Sequence, residues 1–267
     1  MEEIVTLLHL TDLHLFADPM HTIMGINPTQ TLSNLIDLVA KNSLLKPDLV
    51  ILTGDLSQDN SIESYEIGRQ IIQELGCPIL ATMGNHDSQQ NFSKIFPPFI
   101  QQLDSIPTQL TPWRILLLNS HYPQHVEGKL TDEEIDFLKH NLDQYREAPT
   151  LIFLHHHILS STSDWLNHIA LLNSQLFLDI IAPYQNIKAV VCGHVHQETT
   201  SLFGTIPFFS TPATSWQFAT QSKTFKLDTL MPGYRWIKLF ANGTLTSGVV
   251  RLPHNDLFIP DQCSKGY

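Results

Sequence analysis

Basic residues are scarce in this chain of 267 residues. Lysine and arginine together number 15, against 26 aspartates and glutamates, and the formal net charge is −11. Nucleic acids and anionic membranes bind basic surfaces, so this balance argues against both as main partners. It does not argue against a small anionic ligand, whose binding depends on the local field rather than on the total charge.

Cysteines and long apolar runs are also scarce. Cys77, Cys192 and Cys263 lie far apart, a spacing that suits neither a disulfide framework nor a cysteine-rich metal site, so we predict reduced thiols in a cytoplasmic protein. The apolar runs are too short to span a bilayer, and the acidic start Met1-Glu2-Glu3 argues against a signal peptide. A glycine-rich phosphate loop, an internal repeat and a linker are all missing from the sequence.

Polar residues with metal-binding or proton-transfer chemistry follow five short apolar runs. Each run reads as a buried strand, and each is followed at once by Asp, Asn or His. The carboxyl ends of parallel strands meet at one edge of a sheet, where ligands bind in α/β proteins. The segments are Asp12-Leu13-His14, Gly54-Asp55-Leu56-Ser57-Gln58-Asp59, Gly84-Asn85-His86-Asp87, His155-His156-His157 and Gly193-His194-Val195-His196.

The segments between these runs have helical periodicity. Apolar residues recur at helical spacing in residues 29–45 and 61–75, and Thr131-Asp132-Glu133-Glu134 is a capping box that opens a further helix. This order predicts a parallel, right-handed β-α-β-α-β start. After Glu198 the sequence favours short strands, and Asn242-Gly243 predicts a hairpin. Two packed sheets with helices outside, in one domain, fit this order.

In this order the five motifs resemble those of the calcineurin-like metallophosphoesterases. Further segments resemble the bacterial class III cyclic-nucleotide phosphodiesterases, and the likeness runs from residue 4 to about residue 252. It implies an α/β fold, a four-layer sandwich of two mixed β-sheets flanked by helices, with a metallophosphoesterase domain over 1–252 and a C-terminal tail over 253–267. The further segments are Trp165-Leu166-Asn167-His168, Cys192 to Glu198, Thr211 to Ser215 and Phe225 to Thr229.

The donor set of Asp, His and Asn suits borderline metals such as Fe, Mn or Zn better than a thiolate site would. It is too large for one tetrahedral ion, whereas two ions sharing a carboxylate would use it fully. The resemblance implies two divalent or trivalent ions per chain, with Fe and Mn favoured and Zn as the alternative. It implies Asp12, His14, Asp55 and His196 on the first ion, and Asp55, Asn85, His156 and His194 on the second.

Three adjacent histidines require a choice of ligand. The family pattern is His-His-x-Pro with the second histidine as ligand, which selects His156. Ile158 stands where the family has proline, so His155 and His157 stay open as alternatives. For the two histidines that do not bind metal we expect hydrogen bonds that support the ligands.

His86 is not needed as a ligand. We predict that it contacts the phosphate and protonates the leaving oxygen. Such a histidine needs a carboxylate partner, and Asp59 and Asp87 are both candidates. Many family members carry the partner three residues after the bridging Asp, where this chain has Gln58.

Substrate contacts are predicted from Asn85 and His86 beside the metals, and from His168 and Asn173 in the loop over 160–173. The last two would hydrogen-bond the sugar or the base of a nucleotide; ordinary loop packing is the alternative for both. We read the histidines elsewhere in the chain as ordinary surface or core residues.

The resemblance of the further segments implies hydrolysis of 3′,5′-cyclic AMP to 5′-AMP, with a water shared by the two ions attacking phosphorus and His86 as proton donor. The expected partner is therefore a small cyclic nucleotide. The alternatives are another metallophosphoesterase (a phosphomonoesterase, a phosphoprotein phosphatase or a nucleotide pyrophosphatase) or an inactive scaffold. The oligomeric state is open, a homodimer included.

Overall fold

The computed structural model describes residues 3–43, 45–97, 112–254 and 260–261, with side chains from residue 5 onward. Most of the predicted tail over 253–267, and Cys263 with it, lies outside the described residues. Within them Cys77 and Cys192 are free thiols. No helix in these ranges has the length and apolar character needed to cross a membrane.

Two five-stranded sheets carry the fold. The first has the order Leu245–Arg251 (β12), Gly233–Phe240 (β11), Glu3–Leu10 (β1), Leu49–Thr53 (β2) and Ile79–Thr82 (β3). The second has the order Arg114–Leu117 (β4), Thr150–Phe153 (β5), Ile187–Cys192 (β6), Ile206–Ser210 (β8) and Thr199–Phe203 (β7). A two-stranded ribbon pairs Gln217–Phe218 (β9) with Leu227–Asp228 (β10).

Both sheets are mixed. In the first, β1, β2 and β3 are parallel, while β11 runs antiparallel to β1 and pairs with β12 as the predicted hairpin. In the second, β4, β5, β6 and β8 are parallel and β7 is antiparallel. The parallel register brings the carboxyl ends of β1, β2 and β3 together, and those of β5 and β6 likewise.

The helices begin and end close to where the sequence predicts. The Thr131 side chain accepts from the Glu134 amide, half of the predicted capping box, and Asn27 caps the first helix in the same way. The helices are Pro28–Lys41 (α1), Ile62–Gln73 (α2), Gln89–Ile95 (α3), Asp132–Gln144 (α4) and Ser174–Ile181 (α5), with a 3₁₀ helix over Asp164–Ile169.

Three apolar cores stack these elements into four layers. All five residues of β2 are buried, so both faces of this strand pack against other layers. Leu49 and Ile51 face the second sheet, whereas Val50 and Leu52 face α1 and α2. The far side of the second sheet packs on α4 and α5. The predicted four-layer sandwich is therefore confirmed, and it leaves the carboxyl ends of five strands at one edge.

Candidate metal centre and active site

The loops at this edge have an unusual backbone. Five of the predicted ligands have positive φ angles, which non-glycine residues adopt at a cost of about 1–3 kcal/mol each. Such residues cluster at sites where the surrounding structure forces the conformation. The angles are 55° at Asp12, 50° at His14, 53° at Asp55, 69° at His194 and 46° at His196.

Glycine is required where two of these loops touch. Gly54 has a φ of +75°, and a Cβ atom there would lie 2.4 Å from the amide nitrogen of Gly84. No other residue fits this contact without moving backbone. The absence of a side chain brings Asp55 close to the turn of Asn85 and His86, and the His86 amide donates to Asp55 Oδ1 over 2.9 Å.

The first group of donors contains Asp12, His14 and His196. The Nε2 atoms of the two histidines lie 3.2 Å apart, and His196 Nε2 lies 3.3 Å from Asp12 Oδ1. The Nδ1–H of His196 donates to the Trp216 carbonyl over 2.8 Å, and that of His14 to Gln58 Oε1 over 2.7 Å. Both Nε2 atoms therefore carry lone pairs that face each other, an arrangement that needs a cation between them.

The second group contains Asn85, His155 and His194. His155 Nε2 lies 3.2 Å from Asn85 Oδ1 and 3.1 Å from His194 Nδ1. The other ring nitrogens donate to backbone carbonyls, His155 to Thr53 over 2.7 Å and His194 to Ile169 over 2.9 Å. When His155 is neutral, the lone pairs of its Nε2 and of His194 Nδ1 again converge without a donor.

Asp55 lies between the two groups. Its Oδ2 is 3.9 Å from His14 Nε2 and 3.3 Å from His155 Nε2. Burial raises the pKa of Asp55, but the surrounding histidines, His155 foremost, hold it well below its ordinary value. A carboxylate that stays ionised in contact with both groups is suited to bridge two ions, as predicted.

The residues present therefore fit a pair of metal ions. Burial lowers the pKa of His155, yet Asp55 more than offsets this and raises it to about 9, so without metal ions His155 Nε2 holds a proton in the place that an ion would take. Within the described residues, the buried Oδ1 of Asp12 has no hydrogen-bond donor. An ionised carboxylate oxygen without a hydrogen-bond donor, next to imidazole nitrogens that point at one another, is the arrangement expected of metal ligands.

The structure favours a different choice among the three histidines, although a ring nitrogen of His156 also lies within 4.8 Å of one in His155 and one in His194. The ring of His156 bonds to Ser120 Oγ over 2.8 Å and to the Val126 carbonyl over 3.1 Å. Gly128 packs directly against that ring. His155, not the selected His156, is the histidine that faces Asp55, because the ring of His156 is directed to the loop over 120–128.

His86 lies beside the metal ligands, as expected. It is half-buried, and its ring meets that of His14 edge-to-face at 5.1 Å. Burial lowers the pKa of His86, and the carboxylate that most opposes this is Asp55. The charge of Asp55, the predicted bridging carboxylate, therefore helps His86, the predicted proton donor, to keep its proton.

The two candidate partners of His86 hold loops instead. Asp87 is buried and accepts hydrogen bonds from the amides of Leu56, Ser57 and Gly84, at 3.0, 3.2 and 2.8 Å. It thereby ties the Asp55 loop to the turn that carries Asn85 and His86. Asp59 is exposed, and its carboxylate accepts from the Ala17 amide over 2.8 Å and from the Ser61 amide and hydroxyl.

The predicted nucleotide contacts are placed differently from each other. His168 is exposed at the end of the 3₁₀ helix. The side-chain amide of Asn173 bonds to both backbone groups of Leu130, at 3.1 and 2.9 Å. That amide holds α5 against the start of α4, so the structure gives Asn173 the loop-packing role that was the alternative.

Sequence reasoning missed the groups that support the ligands. Trp216 stacks on His14 at a ring distance of 4.6 Å, and Phe218 stacks on His196 at 4.2 Å. His121, read as an ordinary histidine, donates from Nδ1 to the Gly84 carbonyl over 2.8 Å. Two of them had a signal: Gln58 occupies the position at which many family members carry Asp, and Trp216 ends a segment that resembles the cyclic-nucleotide enzymes.

These findings define the class of the protein. The model of the calcineurin-like phosphoesterase family matches residues 5–198, and the chain belongs to that family. The predicted family and its fold are thus confirmed.

Full-length relatives narrow the comparison. The chain is 34% identical over 265 residues to the 3′,5′-cyclic adenosine monophosphate phosphodiesterase CpdA of Pseudomonas aeruginosa, covering 98% of this chain and 95% of that protein. It is 35% identical over 267 residues to CpdA of Vibrio vulnificus, covering 100% and 96%. A crystal structure of a dimetal phosphatase from Danio rerio has the same fold, with a TM-score of 0.63 and 10% identity over 89% of this chain and 96% of that one.

Proposed function

We propose that this chain is a dinuclear-metal phosphodiesterase that hydrolyses 3′,5′-cyclic AMP to 5′-AMP. The observation that carries the proposal is the convergence of imidazole nitrogens and carboxylate oxygens on two points that share Asp55. The full-length similarity to cyclic-AMP phosphodiesterases supports the choice of substrate.

Seven residues would hold the two ions. Fe and Mn are the metals we favour for this mixed nitrogen and oxygen set, with Zn as the alternative. Once bound, the pair supplies Lewis acidity that neutralises charge developing on the phosphoryl oxygens. The first ion would take Asp12, His14, Asp55 and His196, and the second would take Asp55, Asn85, His155 and His194.

His86 is the residue we assign to the leaving group. Its ring lies beside His14 and Asp55, and its backbone amide donates to Asp55. Opening a 3′,5′-cyclic phosphate releases the 3′ oxygen, which needs a proton, and an imidazolium can supply it. Because burial lowers the pKa of His86, the protonated fraction falls as the pH rises through that lowered value, and kcat falls with it.

We also propose a cytoplasmic location. The described thiols, Cys77 and Cys192, are both free, which fits a reducing compartment. The expected partner is the small cyclic nucleotide rather than a nucleic acid or a membrane.

The deciding experiment is a substrate panel with metal-reconstituted protein. Cyclic AMP, 5′-AMP, a phosphopeptide and a pyrophosphate-linked nucleotide are compared by kcat/KM, with the Asp55→Asn variant as a control for contaminating activity. We expect cyclic AMP to be preferred, 5′-AMP to inhibit as product, and a chelator to abolish turnover until Mn or Fe is restored. A preference for any of the other three substrates would reject the proposed function.

A further inference from the structure

An aromatic pair lies on the loop that follows the ligand His14. The half-buried ring of Phe16 stacks on the exposed ring of His21, with centroids 4.0 Å apart and planes inclined by 35°. Met20, which precedes His21 in the chain, is 77% exposed. Phe16 belongs to none of the apolar clusters formed by the described residues, so its ring does not serve the core.

Hydrogen bonds hold this loop in place. The Ala17 amide donates to Asp59 Oδ2 over 2.8 Å. The amides of Met20 and His21 donate to Oδ1 and to the carbonyl oxygen of Asp18, over 2.9 and 3.0 Å. The loop over 16–21 therefore presents apolar and aromatic surface from a hydrogen-bonded turn.

The side chains of the preceding residues show which way Phe16 is directed. A Cβ atom at Gly68 on α2 would lie 2.9 Å from Leu15 Cδ1 and 3.6 Å from Leu13 Cδ2, so both leucines point to that helix. His14 lies between them and points the opposite way, where its ring meets that of His86. Side chains alternate along an extended chain, so Phe16 leaves the backbone on the side of His14 and the metal site.

The backbone also sets how far Phe16 lies from the ligands. The chain after β1 runs beside the Asp55 loop, because the His14 amide donates to the Asp55 carbonyl over 2.9 Å. The Gln58 amide donates to the Leu15 carbonyl over 2.8 Å and continues this pairing outward. Two residues of extended chain span at most about 7 Å. Phe16 therefore lies on the rim next to the first group of ligands, where a nucleotide with its phosphate at the ions would place its base, one ribose away.

A second aromatic pair, on the loop over 120–128, is less suited to a base. Tyr122 stacks on His125 with centroids 4.1 Å apart, and the Lys129 ammonium lies 5.4 Å from the centre of the Tyr122 ring. The ring of Tyr122 thus has two partners already. Among the described residues, the ring of Phe16 contacts the ring of His21 alone.

We propose that Phe16, backed by His21, is the surface on which the base of the cyclic nucleotide stacks. Every base has a flat π-face, and stacking on an aromatic side chain is a common way to bind one. The inference rests on the proposed function, because it names the base contact of that same site.

The test compares 5′-AMP with ribose 5-phosphate, which has the same sugar and phosphate but no base. Calorimetry measures the binding of each to the metal-loaded full chain. Phe16→Leu removes the ring, Phe16→Tyr keeps it, and Tyr122→Leu is the matched control at the other pair. Metal analysis and melting curves show that each variant folds and holds its ions, and His21→Ala, at an exposed residue, tests the pair if Phe16→Leu does not fold.

We expect Phe16→Leu to bind 5′-AMP about tenfold more weakly, within the usual range for one base–aromatic stack, and to bind ribose 5-phosphate as the wild type does. The KM for cyclic AMP should rise by a similar factor while kcat stays within about twofold. His21→Ala should weaken 5′-AMP binding by about threefold, since it removes only the backing ring. Phe16→Tyr and Tyr122→Leu should keep the wild-type affinity for both ligands.

Other outcomes separate the inference from the proposed function. If the wild type turns over cyclic AMP but Phe16→Leu binds 5′-AMP unchanged, or loses both ligands equally, the inference alone is overturned. A loss of 5′-AMP affinity in Tyr122→Leu instead would move the base to the other pair and overturn it too. If the wild type does not turn over cyclic AMP, the proposed function fails and the inference fails with it.

Discussion

The two sheets contribute different chemistry to one site. The first sheet supplies every oxygen donor, namely Asp12, Asp55 and Asn85, whereas the second supplies only imidazoles, His155 among them. All of the negative charge therefore comes from one side of the sandwich, together with the imidazole of His14, and the other side supplies imidazoles alone. Ions bound between them would join the sheets at this edge, in addition to the apolar core that packs them together.

The loops of the two sheets are also held in different ways. On the first sheet a buried carboxylate, Asp87, accepts backbone amides and fixes the loop after β2 to the turn after β3. On the second sheet the ligands fix themselves, because His155 and His194 donate to backbone carbonyls. On the first sheet a separate residue, Asp87, therefore holds the loops in place. On the second sheet the ligand histidines do so themselves, through the ring nitrogens that do not face the metal site.

The largest effect should come from removing the charge of the first sheet. Asp55→Asn is nearly isosteric but takes away the carboxylate that faces both groups of ligands. We expect loss of at least one ion and a fall in kcat/KM of roughly 10³-fold or more, because a catalytic metal supplies several kcal/mol. Metal analysis and circular dichroism on one preparation test this. Full metal content with activity within threefold of wild type would refute the bridging role.

His86→Ala separates proton transfer from metal binding. Both ions should stay bound while kcat falls by roughly 10²–10⁴-fold, the usual contribution of a general acid. The fall in kcat on the alkaline side of the lowered His86 pKa should disappear in the variant. Nitrophenyl esters need no proton on the leaving group, so their hydrolysis should suffer less. An equal loss for the nitrophenyl ester and the cyclic nucleotide would show that His86 acts elsewhere.

After β5 of the second sheet, the same substitution at His155 and at His156 allows a matched comparison. His155→Gln should weaken binding of one ion by about 10²-fold, at the upper end of what changes around a metal ligand produce. His156→Gln should leave metal affinity within about threefold, since its ring bonds to Ser120 and Val126. Titration of the apoprotein with Mn measures both. The reverse order of effects would restore His156 as the ligand.

The smallest effect should come from the amide behind His14. Gln58→Leu removes the acceptor that holds the His14 tautomer, and we expect about tenfold weaker binding of one ion, the lower end for such partners. Gln58→Glu, which keeps an acceptor, should retain the affinity. If Gln58→Leu binds metal as wild type does, the tautomer of His14 is fixed by other contacts.

Much of the fold and site was predictable because the residues with metal-binding side chains directly follow the strands in the sequence. A run of β-prone residues followed by Asp55 or His194 shows where the strand stops and which donors lie at the sheet edge, and parallel register brings such edges together. The choice between His155 and His156 was not predictable, because it depends on which way each ring is directed past the end of β5.

Other misses arose from partners distant in sequence. Whether Asp87 meets His86 or the amides of Leu56 and Ser57 depends on a turn geometry that residue types do not encode. Trp216 stacks on a histidine about 200 positions earlier, and Asn173 bonds to Leu130. Contacts of this kind depend on how the folded elements pack together, which the local sequence does not specify.

The left-handed backbone of five ligand residues bears on how such a site persists. Glycine adopts that conformation without strain, and asparagine, aspartate and histidine adopt it more readily than other residues do. Replacing His194 or His196 by glycine would relieve about 1–3 kcal/mol of backbone strain, but it would also leave a cavity and an unpaired backbone carbonyl in a buried site. The packing around the loops therefore holds the strained backbone, and the ligand positions are set by the protein before any ion binds.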